Sequence, residues 1–157
     1  MLDIILRKAT MQDIDTLIKL RFDYLTEDSI DLAQNQKTII SEQLNEYFQK
    51  HIQDGTFIGV IAEADNKIVS TAYLAISEKP ANPTFITGKT GTLLNVLTYP
   101  EFRRNGIATK VIAFIIDEAR KVGVSSIDLS ATNDGKHLYE KMGFTVSKYT
   151  TMHMKLK

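Results

Sequence analysis

The 157-residue chain has no cysteine, no tryptophan and only three prolines, and neither sign of charge is in excess, with Lys+Arg and Asp+Glu at 19 each. Without cysteine there is no disulfide framework, no thiolate metal site and no cysteine nucleophile. The histidines His51, His137 and His153 do not fall at metal-ligand spacing, so no metal is expected. A zero net charge removes the global electrostatic footprint of a nucleic-acid or anionic-membrane partner. No apolar run approaches the roughly 20 residues of a membrane span. Residues 1–8 lack a basic stretch followed by a long apolar one. The expectation is a soluble, cytoplasmic protein with no nucleic-acid and no membrane partner.

What is present is an ordinary globular balance, 43% hydrophobic and 24% charged. A chain of this length buries a core in one domain, residues 1–157. Residues 4–7 read as a strand, and Thr10 as the N-cap of a helix to about Asp28. Ile14, Leu17, Ile18, Phe22 and Leu25 give that helix an apolar face. After a loop over 29–36, Ile40, Leu44, Tyr47, Phe48 and Ile52 mark a second helix. Residues 56–63 and 68–76 read as a hairpin, 77–91 as a loop with Pro80, Pro83, Gly88 and Gly91, and 92–98 as a strand. A helix follows Gly106 and ends at Gly123, with Ile107, Val111, Ile115 and Ala119 inward. The remainder reads as a strand over 126–131, a helix over 134–141 with Asp134 as N-cap, and two short strands over 145–148 and 151–156. The order β-α-α-β-β-β-α-β-α-β-β is an α/β (α+β) mixture around a mostly antiparallel sheet.

The stretch Arg103-Arg104-Asn105-Gly106-Ile107-Ala108 stands between an apolar strand and an apolar helix. A turn rich in N–H donors and cations, leading into a helix N-terminus, makes a phosphate cradle. Gly106 lets the backbone approach an anion without an intervening Cβ.

This stretch and Leu138-Tyr139-Glu140-Lys141-Met142-Gly143-Phe144 resemble two signatures of the GCN5-related N-acetyltransferase (GNAT) superfamily. The first matches that family's Arg/Gln-x-x-Gly-x-Gly/Ala phosphate-binding motif, the second its Tyr-x-x-x-Gly-Phe motif. The resemblance implies a mixed sheet splayed at the cofactor strand, flanked by about four helices, with acetyl-CoA as co-substrate. It implies that the backbone of Val96, Leu97 and Thr98 runs along the pantetheine arm, one amide polarising the thioester carbonyl. Amides from Arg104 through Asn105, Gly106, Ile107 and Ala108 to Thr109 would hold the pyrophosphate, with charge from Arg103 and Arg104. The chain departs from the family where a cofactor-binding Asn is common: Thr132 stands there, and either it or Asn133 fills the role. Gly135 also replaces a common Ala.

Acetyl transfer to nitrogen needs a neutral amine and a proton for the departing thiolate, although amine and thiol pKa values lie near 10 and 8.5. The motif match makes Tyr139 the expected general acid; without the match it reads as a core tyrosine. For the base, Glu63 at a strand end and a water chain with no dedicated base both stand. Asn95, no base itself, is placed to orient substrate or water. Glu27, Asp28 and Asp31 form either a solvated helix end or a lure for a cationic amine. The implied activity is direct transfer from acetyl-CoA to the primary amine of a small molecule in a ternary complex. Alternatives are a protein or peptide acceptor, or a catalytically silent acyl-CoA-binding module. Apolar alternation over 151–156 permits a homodimer through C-terminal strands.

Overall fold

A computed structural model describes residues 2–157. Its five strands lie in the order β1-β2-β3-β4-β5: β1 (Ile5–Lys8), β2 (Phe57–Ala64), β3 (Lys67–Glu78), β4 (Lys89–Thr98) and β5 (Ser126–Asp128). Neighbours are antiparallel from β1 to β4, and β4 pairs with β5 in parallel. Four helices complete the fold: α1 (Ile14–Glu27), α2 (Gln34–Gln53), α3 (Ile107–Lys121) and α4 (Asn133–Lys141).

The period-two pattern of β2 divides the core. Ile58, Val60 and Ala62 join Ile107, Val111, Ile112 and Ile115 of α3 on one face. Phe57 and Ile61 join Leu17 and Leu20 of α1, and Leu44 and Phe48 of α2, on the other. The inward face expected of α3 is buried at all four named positions. The Thr10 side chain accepts from Gln12 N, and Asp13 answers by accepting from Thr10 N at 2.7 Å, so this start carries a capping box. The first turn is a 3₁₀ helix before α1 begins.

The structure corrects several expected boundaries. Strands β3 and β4 run into the expected loop, pairing Ser77 with Thr90 and Glu78 with Lys89. Helix α2 begins inside the loop expected over 29–36, because Gln36 Oε1 caps Ala33 N at 3.0 Å. Thr132, not Asp134, is the N-cap of α4, its side chain accepting from Gly135 N at 3.1 Å. The strand expected over 126–131 stops at Asp128, where the chain leaves β4. Residues 145–157 form no strand: Met152, Met154 and Leu156 are exposed at 88%, 80% and 86%. Alternation alone does not make a strand, and this segment joins no ladder of the sheet.

Candidate active site

Strand β4 carries the site because it departs from regularity twice. Its register against β3 moves from Thr71↔Leu97 to Tyr73↔Leu94, which leaves one extra residue on β4. Asn95 absorbs the bulge in the left-handed region at φ 56°, which Asn tolerates better than most residues. Two hydrogen bonds from α1 hold it. Asn95 Oδ1 accepts from Arg21 Nη1 at 3.2 Å, and Asn95 Nδ2 donates to Leu20 O at 3.4 Å. On its other edge β4 meets β5 only from Thr90 to Thr92, after which the two strands part. From Leu93 onward that edge of β4 faces a cleft of about 590 Å³ instead of a strand. Leu129, Ser130, Thr132, Leu138 and Tyr139 line it beside β4, and the turn before α3 closes one end.

That end has the geometry of an anion cradle. Gly106 is the N-cap of α3 at φ 71°, and a Cβ built there would meet nothing within 4 Å, so the approach to the amides is open. Arg104, also left-handed at φ 65°, sustains the turn that exposes them. The first helical carbonyl, Gly106 O, is reached by Lys110 N at 3.3 Å, leaving the amides of Ile107, Ala108 and Thr109 ahead of the helical ladder. Gly106, Ile107, Ala108 and Thr109 line the cleft, as do Val96, Leu97, Thr98, Arg103 and Arg104. Arg103 is partly spent: its Nε donates to Thr98 O at 2.9 Å and its Nη2 to Glu27 at 2.7 Å. Arg104 pairs with no carboxylate among the described residues and is the cradle's free cation. A pyrophosphate group with an extended pantetheine arm fits this donor set, the open cradle serving the one and the unpaired strand edge the other.

Tyr139 reaches the same cleft from α4, packed edge-to-face on Phe144 with ring centroids 5.8 Å apart. Burial, then the neighbouring Tyr24, push its phenol above the ordinary tyrosine value, so it keeps its proton at neutral pH. Thr132 is in the cleft wall and Asn133 is not. Asn105 is exposed and does not line the cleft; its Nδ2 folds back on its own turn, donating to Phe102 O and Arg103 O at 3.1 and 3.2 Å. Asn95 lies in the wall as the bulge residue, 1% exposed, with its amide committed to α1. Glu63 is not brought to the cleft: it sits at the β1 side of the sheet, where its Oε1 accepts from Arg7 Nε at 2.8 Å. Glu27 and Asp28 are at the cleft rim, whereas Asp31 lines a separate surface hollow.

Two neighbours were missed in the sequence. Arg21 falls on the helical row of Leu17, and a cation on an apolar face was the signal that could have revealed it. Tyr24, in the cleft wall, follows one turn after the buried Leu20. No group of His, Asp and Glu suited to a metal occurs among the described residues. No helix is long and apolar enough to cross a membrane among them.

Known proteins share this fold. The sequence pattern of the acetyltransferase (GNAT) family matches residues 19–144. A predicted acetyltransferase of Clostridium acetobutylicum, solved with acetyl-CoA, superposes with a TM-score of 0.85 at 30% identity, covering 96% of each chain. A GCN5-related N-acetyltransferase of Ralstonia eutropha shares the fold with a TM-score of 0.80 at 19% identity, covering 97% of this chain and 99% of its own. In sequence, glucosamine 6-phosphate N-acetyltransferase of Arabidopsis thaliana is 28% identical over 116 residues, 69% of this chain and 71% of that protein. The chain belongs to the GNAT family and is an acetyl-CoA-dependent N-acetyltransferase.

Proposed function

We propose that the acceptor is the primary amine of a small molecule, acetylated by direct transfer in a ternary complex. The observation that carries this reading is the small volume of the space beside the bulge. On the α1–α2 side of β4 lies a cavity of about 230 Å³, below the roughly 300–1,000 Å³ of drug-sized sites. A small amine suits so small a space better than an extended peptide, which needs a longer groove. The small-molecule acceptor of the Arabidopsis relative agrees with this reading.

Acetyl-CoA supplies an acyl group already activated as a thioester. The β4 edge at Val96, Leu97 and Thr98 offers a backbone amide to the carbonyl oxygen, in a site whose geometry the bulge fixes beforehand. The cradle from Arg104 to Thr109 holds the pyrophosphate, with Thr132 on the opposite wall. Tyr139 holds its proton at Oη for the sulfur. A C–N bond forms as the C–S bond breaks. The ammonium nitrogen gives up two protons in all: one ends on sulfur through Tyr139 and solvent, the other in bulk water. Glu63, which does not line the cleft and is paired with Arg7, takes no part, and the amine is deprotonated through water in the open cleft.

The test is release of the CoA thiol with a panel of small amines against peptides bearing lysine or a free N-terminus, with acceptor-free controls. Small amines are expected to support release. Release with peptides alone would replace the small-molecule reading, and silence throughout would favour a binding module.

A further inference from the structure

The cavity on the α1–α2 side of β4 is walled by Arg21, Gln43, Tyr47, Phe48, Tyr73 and Leu94. Aromatic walls with a few polar groups are the make-up of a metabolite pocket. The Tyr73 hydroxyl is already satisfied, donating to Leu17 O at 2.6 Å. Arg21 is different. Its half-buried guanidinium gives one hydrogen bond, to Asn95 Oδ1 at 3.2 Å. Arg7, Arg103 and Arg120 each hold a carboxylate, whereas Arg21 holds none among the described residues.

The nearby acids are engaged elsewhere. Asp23 accepts from Lys19 at 2.8 Å and from Tyr99 at 2.5 Å, and Glu27 accepts from Arg103 at 2.7 Å. The acceptor side of β4 therefore presents a guanidinium fork with unused donors, partly withdrawn from water. Such a group, its guanidinium carbon 5.9 Å from the centre of the Tyr24 ring, keeps donors free and is well shaped to receive a carboxylate or phosphate. Its position is equally specific. Leu94 is a wall of both this cavity and the cofactor cleft, and Asn95, which Arg21 touches, is the bulge residue between them.

We propose that this cavity is the acceptor subsite, and that Arg21 selects an acceptor carrying a carboxylate or phosphate in addition to its primary amine. The inference rests on the small-molecule transfer reading above. With the anion on Arg21, the amine is left to face the bulge, where the thioester carbonyl is to be polarised.

The test uses two matched pairs: glucosamine 6-phosphate against glucosamine, and phenylalanine against phenethylamine. Calorimetry in the presence of CoA reads acceptor binding without turnover, and thiol release reads kcat/KM. The wild-type protein is expected to prefer the anionic member of at least one pair by roughly ten- to a hundred-fold, and which pair responds distinguishes phosphate from carboxylate. Arg21→Gln, which keeps a donor for Asn95, should lose the preference, while Arg21→Lys retains part of it. Neutral members that bind as well as their anionic partners overturn the proposal, as does failure of all four to bind. An Arg21→Gln variant that weakens both members equally also overturns it, because a merely structural role lowers both alike. If that variant does not fold, the wild-type ratio and Arg21→Lys decide. Anion preference in calorimetry without thiol release from any acceptor leaves the subsite standing and removes the transfer reading instead.

Discussion

Arg21 donates from Nη1 to Asn95 Oδ1 at 3.2 Å, joining α1 to the bulge of β4 across 74 residues of sequence. The bond fixes a left-handed residue in the segment of β4 that, beyond its pairing with β5, faces the cleft. Local strain and a long-range side-chain contact together shape the site.

Replacing Asn95 should therefore disturb both stability and cofactor binding. Asn95→Ala gives up its hydrogen bonds and keeps an unfavourable φ, for an expected loss of about 2–3 kcal/mol. Asn95→Gly relieves the backbone but not the lost bonds, and should recover about 1 kcal/mol of that. Urea denaturation measures the stabilities, and calorimetric titration should show weaker acetyl-CoA binding in both variants.

At the cradle, Gly106→Glu places a carboxylate where the pyrophosphate is to lie. Acetyl-CoA affinity should fall at least about a hundred-fold, by steric blockage and charge repulsion. Gly106→Ala separates backbone from occupancy: it meets no protein atom within 4 Å, but must hold φ near 71° at a cost of about 1 kcal/mol. A folded Gly106→Glu variant that binds normally would remove the cradle assignment.

Tyr139→Phe deletes one oxygen and leaves the ring packed on Phe144. Cofactor affinity should stay close to that of the wild type while kcat drops by roughly a hundred-fold, the lower range for loss of a general acid. Because burial raises the phenol's pKa, its ionisation falls above its ordinary value of about 10. Wild-type kcat should consequently not decline between neutral pH and about 9. Turnover unchanged by the substitution would make Tyr139 a packing residue.

A further prediction concerns acid stability. Arg7 donates to both Asp13 oxygens, at 2.8 and 3.0 Å, and this hydrogen bonding holds the Asp13 carboxyl below its ordinary value against the opposing effect of burial. A depressed native pKa stabilises the fold above the unfolded value near 3.9, and that contribution is lost as pH falls through the native one. Asp13→Asn should cost about 1–2 kcal/mol at pH 7 and little at pH 2, as read from denaturation midpoints at the two values.

The elements that form by local pattern were legible in the sequence. Helix α3 follows from its 3.6-residue apolar period and the glycines at its two ends. The β2–β3 hairpin follows from alternation around Asp65-Asn66, both in left-handed conformation. Gly106 and Tyr139, which line the cleft, were singled out by motif and context. What was hidden depends on partners remote in sequence. Nothing around Asn95 announces a bulge, because the extra residue exists only relative to the register of β3. The contact of Arg21 with Asn95 exists only once α1 lies against β4, 74 residues away in sequence. Glu63 shows the converse: a carboxylate at a strand end reads as a candidate base until Arg7 is found beside it. The alternation over 151–156 predicted a strand for which the sheet provides no ladder.

The most direct measurement follows the acetyl group itself by mass spectrometry. The protein is incubated with acetyl-CoA alone, and then with small primary amines added. The account predicts a protein of unchanged mass in both cases, with one acetyl group gained by the amine and one free CoA thiol formed for each. An acetylated protein that forms without acceptor and passes its acetyl group on would contradict direct transfer, and an amine pool that stays unmodified would contradict the small-molecule acceptor.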